Sequence, residues 1–255
     1  MITKLYKGKV ELDFDESRHV FSVGGEPVPS VTACTSVIDK SRPLVFWAVG
    51  LARDFLKANL DKLAADTDGE KILALIEEAS RQHQVVKEEA AAAGTEAHKW
   101  AEKFIKAKTK NEWPALPKDP AVYNAVSAFL KWVNEHKVRF VSSERKVYSR
   151  NHRYAGIMDA VAVIGGKRCV VDFKTAKGFY PEFQIQVAAY QAAAEEEDGR
   201  KHSGEKWLVR FDKESGEFEA RQFGGQAEDF KAFLACLALR NRLKELEKGS
   251  NSFRR

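Results

Sequence analysis

Two adjacent glycines constrain this chain more than any other feature. Ile157–Ile164 reads IMDAVAVI and Lys167–Phe173 reads KRCVVDF, both β-like, and Gly165-Gly166 stands between them. Gly-Gly accepts the positive φ angles of a two-residue turn, so the stretch is a hairpin whose register the turn sets. Counting outwards, Ile164 meets Lys167 and Asp159 comes to lie opposite Asp172. The preceding hairpin turns about Asn151-His152, a weaker turn signal, and the same count brings Glu144 opposite Asp159. Side chains alternate along a strand, so Lys174 shares a face with Asp172. Three neighbouring strands thus present Glu144, Asp159 and Asp172 side by side.

Such a row is unstable alone. Like charges opposite each other on a sheet repel. Asp159 also shares its strand face with Ile157, Val161 and Val163, where a carboxylate is costly unless compensated. A divalent cation with oxygen ligands answers both costs. The plainer alternative is an exposed sheet face on which Lys174 pairs with the acids.

Around this centre the pattern alternates between helix and strand. Residues 1–41 form an extended segment, with a turn at Gly24-Gly25. Residues 42–137 form a largely helical portion. Ser41 caps its first helix, with Pro43 in the first turn, and a break falls at Asp66–Gly69. Asp119-Pro120 starts a further helix. The core spans 138–247: strands near 138–149, 153–164 and 167–175, a helix over 181–197, strands near 206–211 and 217–222, and a last helix. Residues 248–255 read as a disordered tail. The fold class is α/β (α+β), a central mixed sheet flanked by helices.

The chain has 255 residues, 44% of them hydrophobic, enough for a sizeable core. The 42 Lys and Arg against 37 Asp and Glu give a charge of +5, which permits a nucleic-acid partner without requiring one. Cys34, Cys169 and Cys236 form no C-x-x-C pair, which argues against a zinc ribbon or a four-cysteine iron–sulfur cluster. Free thiols suit a reducing cytoplasm. The N-terminus shows no signal or transit pattern, and no apolar run is long enough to span a bilayer, so no membrane is expected.

Five motifs stand in order: His98 within a helix, Glu144 on a strand, G-I-M-D (Gly156 to Asp159), D-F-K-T (Asp172 to Thr175) and Gln186 to Tyr190. In this order they resemble the PD-(D/E)XK nuclease superfamily, and its RecB-like branch with phage and mitochondrial genome-maintenance exonucleases. His19 to Thr32, H-x-F…PSVT, also resembles the start of phage members. No proline precedes Asp159, and Asp rather than Glu precedes Lys174 by two; both variations are common in that superfamily.

The resemblance implies a restriction-endonuclease-like core and a metal-dependent DNA exonuclease acting in recombination, repair or replication. It implies Mg²⁺ or Mn²⁺ held by Asp159, Asp172 and the carbonyl of Phe173, with His98 as a further ligand. Lys174 would act on the attacking water, with Glu144 as a further catalytic carboxylate. Gln186 and Tyr190 would steady the site and the DNA. Unaided by the resemblance, His98 reads as a packed or surface histidine. Gln186 reads as a satisfied amide on a core face with Phe183 and Tyr190. Lys103 and Lys106, within a basic run from Lys99 to Lys110, are candidates for phosphate contacts or simply a solvated face. Trp100, Phe104 and Trp113 nearby read as core packing. The expected partner is DNA, with single-stranded segments or duplex ends as substrate and a recombination or single-strand-binding protein working beside it. The setting is the cytoplasm of a bacterial or phage-infected cell. Two other classes stay open: a structure-specific endonuclease with the same site, and a non-catalytic DNA-binding module. The intact Asp159, Asp172 and Lys174 set argues against the second.

Overall fold

The computed structural model describes residues 1–65, 68–107, 112–201 and 205–252. Asp66 and Thr67 of the expected break, Lys108 and Lys110 of the basic run, Asn111 and His202 lie outside the described residues, as do 253–255 of the expected tail.

The chain divides into two compact units, Met1–Ile38 with Glu96–Arg255, and Asp39–Thr95. The second unit holds α2 (Ser41–Ala58), α3 (Leu60–Ala65) and the first part of α4 (Gly69–Lys106). α2 begins at Ser41 itself, the residue expected to cap it. Lys40 holds the cap position without a side-chain bond, and Asp39 accepts the N–H of Ser41 at 2.8 Å.

The first unit opens with an antiparallel meander: β1 (Ile2–Leu5), β2 (Val10–Asp15), β3 (Val20–Val23) and β4 (Glu26–Val28). Gly24-Gly25 turns β3 into β4, both glycines having positive φ. Leu5, Leu12, Phe14, Phe21 and Val28 pack with Tyr148 and Ala155 of the main sheet. The short helix α1 (Val31–Thr35) follows, capped by Ser30, whose hydroxyl accepts the N–H of Ala33 at 3.0 Å.

The main sheet has the order β5 (Arg139–Ser149), β6 (Tyr154–Ile164), β7 (Lys167–Lys174), β8 (Lys206–Phe211), β9 (Phe218–Phe223). Only β7 and β8 run parallel, so they need a crossover, which α6 (Pro181–Asp198) supplies. This is the mixed α/β architecture the residue pattern predicts. α5 (Pro120–Glu135) starts as Asp119-Pro120 requires, with the Asp119 carboxylate accepting the N–H of Val122 at 2.9 Å. Phe129 and Trp132 of α5 pack on Phe173 and Phe211 of the sheet, ring centroids 5.6–6.4 Å apart. Trp100, Phe104 and Trp113 join this aromatic cluster, and the indole N–H of Trp100 donates to the carbonyl of Ala115 at 2.9 Å. A second core combines Tyr154, Met158, Val161, Val170 and Leu208 with Val187 and Tyr190 of α6 and Phe233 of α7 (Gln226–Ser252). α7 carries its helix through Ser252, past residue 248 where the tail was expected to begin. Among the described residues no helix is long and apolar enough to cross a membrane.

Candidate active site

The acidic residues gather where β6 and β7 part. Paired residues run from Ile164 with Lys167 to Ala160 with Val171, the register that the Gly165-Gly166 turn predicts. The ladder stops one residue short of the acids. There a side chain replaces the strand: Oδ2 of Asp159 accepts the N–H of Phe173 at 2.7 Å. The first half of β6 offers its free edge elsewhere. Ala155 donates its N–H to the carbonyl of Pro29 at 2.9 Å, and Ser30 forms a parallel bridge to Ala155. Between these two arrangements the sheet has a gap, and the carboxylates line it.

Across β5, the pairs Ser143 with Ala160 and Arg145 with Met158 bracket Glu144 and Asp159, so these two stand opposite. Glu144 has φ +48°, a left-handed conformation that costs a non-glycine residue about 1 kcal/mol or more. On β7, Phe173 is buried against α5. Alternation then turns Asp172 and Lys174 to the opposite side, towards α6. Lys174 Nζ lies 2.7 Å from Asp172 Oδ2 and 4.7 Å from the centroid of the Phe183 ring. His98, from α4, places Nδ1 3.4 Å from Asp159 Oδ1.

These charges act on one another. Burial raises the Asp172 carboxyl, and the Asp159 charge adds to it more than Lys174 and His98 can offset. Burial works against the Asp159 carboxylate too, but His98, Lys174 and the Phe173 N–H together bring it below its usual value. His98 loses by burial and gains more from Asp159 and Asp172, so its net shift is upward. Lys174 is likewise raised, burial being outweighed by Asp172 and Asp159. Glu144 is pushed up to about 7, first by burial and then by the charge of Asp159. Tyr190 is raised well above the phenol range by burial and by the same three carboxylates.

A divalent cation fits this donor set. Asp172 is buried, with Lys174 Nζ 2.7 Å from its Oδ2, and Asp159 stands beside it at the gap. Among the described residues no three His, Cys, Asp or Glu side chains converge to hold a metal by themselves. A backbone oxygen could join the two carboxylates. In an extended strand the N–H and C=O of one residue point to the same side, and the Phe173 N–H points at Asp159. Its carbonyl therefore faces the same gap. Two carboxylates and a carbonyl are hard oxygen donors, suited to Mg²⁺ or Mn²⁺.

Gln186 is buried, and its amide donates to Oγ1 of Thr35 at 2.9 Å, tying α6 to α1. Tyr190 is 6% exposed and packs flat against Gly156: a Cβ there would come within 2.5 Å of the Tyr190 ring. That close approach is why a glycine opens the G-I-M-D motif. Lys103 is exposed on α4, while Lys106 pairs with Glu102. A cleft of about 720 Å³ adjoins the carboxylates. Glu144, Tyr190, Lys106 and Lys146 line it, together with His19, Phe21, Ser30 and Thr32 from the N-terminal segment. The residue pattern did not reveal Thr35, Phe183 as a partner of Lys174, or the left-handed Glu144. For Phe183 a signal existed in its i−3 spacing to Gln186; for Thr35, 151 residues away in sequence, there was none.

A family model described as the PD-(D/E)XK nuclease superfamily matches residues 52–254. No curated protein matches the chain. Among solved structures, SSO0001 is similar at 13% identity and a TM-score of 0.32, over 47% of this chain and 57% of that one. The chain thus spans a little over half the length of that relative. The alkaline exonuclease LHK-Exo from Laribacter hongkongensis is similar at 14% identity and a TM-score of 0.32, over 64% of this chain and 98% of that one. With a family model covering most of its length and the motif residues gathered at one gap in the sheet, the chain belongs to the PD-(D/E)XK nuclease superfamily.

Proposed function

We propose that the protein is a metal-dependent DNA exonuclease, hydrolysing phosphodiester bonds at the gap between β6 and β7. One observation carries this reading. Three carboxyls, Asp159, Asp172 and Glu144, meet Lys174 and His98 at the gap, and burial with the Asp159 charge raises the Asp172 carboxyl although Lys174 touches its Oδ2 at 2.7 Å, so the site holds more acid than its own groups neutralise. A buried carboxylate left this way is expensive unless a ligand satisfies it.

A cation held by Asp159, Asp172 and the Phe173 carbonyl would supply positive charge against the phosphate and acidify the attacking water. The chain's own groups do the rest. Lys174 brings an ammonium with three donors to the same place, to orient the attacking water and offset developing charge. Glu144, titrating near 7, can take up a proton at working pH. His98 holds Asp159 in its ionised form and is close enough to serve as a further ligand. Tyr190 lines the cleft in which the substrate strand would rest, and Gln186 steadies α6 behind it through Thr35. Lys106 at the cleft and the exposed Lys103 on α4 are positioned for backbone phosphates. Cutting from an end follows the likeness of the five motifs to the RecB-like exonucleases. Recombination, repair or replication in a bacterial or phage-infected cell is the setting in which such an enzyme acts, alongside a recombination or single-strand-binding protein.

The test compares end-labelled linear DNA with covalently closed circular DNA, in Mg²⁺, in Mn²⁺ and in EDTA. Degradation of linear DNA alone, in either metal and not in EDTA, is expected. Cleavage of the closed circle would make the protein an endonuclease. Full activity in the metal-stripped protein would refute the mechanism.

A further inference from the structure

Lys174 is held at two places at once. Its ammonium touches Oδ2 of Asp172 at 2.7 Å and stands over the Phe183 ring at 4.7 Å from the centroid. The first contact occupies one of the two oxygens that Asp172 could offer a cation. A cation bound there would also repel the ammonium. Lys174 must therefore give up Asp172 while staying close enough to act, and the ring offers it a seat.

The geometry points to Phe183 as the positioning residue of Lys174: its ring face holds the ammonium at the site once Asp172 turns its oxygen to a divalent cation. This rests on the nuclease reading above. An aromatic face attracts a cation within about 6 Å of its centroid, and more strongly where water is excluded. Lys174 and Asp172 are both largely buried. The ring is itself fixed. Phe183 lies in the first turn of α6, its N–H donates to the Tyr180 carbonyl at 3.0 Å, and the Tyr180 ring meets it edge-on at 5.4 Å. Pro181 sets the start of that turn. Glu182, buried in the same turn, adds negative charge on this side of Lys174. The turn thus offers a π face and a carboxylate, neither needed for cation ligation.

If Phe183 merely fills space, any apolar side chain of similar volume serves. The full-length chain is compared as wild type, Phe183→Leu, Phe183→Met, Phe183→Tyr, Lys174→Ala and the Lys174→Ala, Phe183→Leu double variant. Three readouts are taken: kcat and KM on linear DNA in Mg²⁺, Mn²⁺ affinity without DNA by electron paramagnetic resonance, and thermal melting. Phe183→Leu and Phe183→Met should lower kcat about tenfold with KM little changed. They should also weaken Mn²⁺ binding, because the ammonium then stays on Asp172. Phe183→Tyr, which keeps the face, should restore both. In the Lys174→Ala background Phe183→Leu should leave Mn²⁺ affinity unchanged. Wild-type kcat and Mn²⁺ affinity in the leucine and methionine variants would overturn the proposal, as would a tyrosine variant as impaired as leucine at equal melting temperature. If Lys174→Ala itself cleaves at the wild-type rate, the nuclease reading of this site falls, and the role of Phe183 with it.

Discussion

Lys206, fully buried, and Lys174, largely buried, stand on neighbouring strands of one sheet, in opposite circumstances. Lys206, the first residue of β8, donates to Oε1 of Gln226 at 3.1 Å and to Oδ2 of Asp229 at 3.0 Å. The amide of Gln226 in turn donates to the carbonyl of Ala188 at 2.9 Å. One charge meets one charge, and the neutral partner is used at both ends. Lys174 faces Asp172, with Asp159 and Glu144 beyond it, three carboxyls around one lysine and His98. The first pair joins α7 to the sheet and needs nothing from outside. The second has an excess of acid that the chain does not neutralise. Burial of charge therefore does not mark a functional site; an imbalance within the buried charges does.

The contrast breaks most readily at Lys206. Lys206→Met leaves Asp229, partly exposed in the first turn of α7, without its partner and should cost about 3 kcal/mol in denaturant unfolding, the lower end of what removing one partner of a buried pair costs. The fraction that remains folded should keep its nuclease activity. Adding Asp229→Leu should recover most of the lost stability. A Lys206→Met protein of wild-type stability would show that the pair holds nothing in place.

A smaller effect comes from the packed wall of the site. Gly156→Ala puts a methyl group within 2.5 Å of the Tyr190 ring, between a strand and a helix that cannot both retreat. Overpacking of this kind costs about 1–3 kcal/mol. Gly156→Ala combined with Tyr190→Leu should be more stable than Gly156→Ala alone, which thermal melting will show.

A further effect is a slope in pH. A carboxyl raised in the folded state holds its proton where the unfolded chain has lost it, so folding stability falls as pH rises between the two values. For Glu144 that window runs from its ordinary 4.5 to about 7. In EDTA, Glu144→Gln should be more stable than wild type at pH 8, and the difference should vanish near pH 4. An unchanged pH profile in Glu144→Gln would mean that the carboxyl is well solvated.

What could be read from residues alone was local or periodic. Gly165-Gly166 fixed a turn, and the turn fixed the register through Ala160 and Val171. The Asn151-His152 turn did the same for β5 and β6, with Arg145 opposite Met158 on one side of the acids and Ser143 opposite Ala160 on the other. Departures from periodicity were hidden. The ladder ends just where the acids begin, because Asp159 bonds the Phe173 backbone and Ala155 turns to Pro29. Nothing in the local pattern marks Glu144 for a left-handed backbone. Contacts between distant segments were hidden too: Thr35 with Gln186, and the N-terminal meander with Tyr148 and Ala155. His98 was singled out by family likeness, since a histidine between two alanines in a helix has no pattern of its own. The boundary within the helical portion also escaped, because α4 continues unbroken from Thr95 to Glu96, where the two units divide.

The central claim is that Lys174 acts in the reaction rather than in the fold or in DNA binding. Lys174→Ala is assayed for cleavage in Mg²⁺ and for gel-shift binding in Ca²⁺. Lys174 is one of 42 Lys and Arg, so its loss should remove at most one phosphate contact and leave affinity nearly unchanged. Cleavage should fall by about a hundredfold or more, the usual cost of removing one stabilising group from a reacting centre. Cleavage at close to the wild-type rate would contradict the account, and the active site would have to be sought elsewhere.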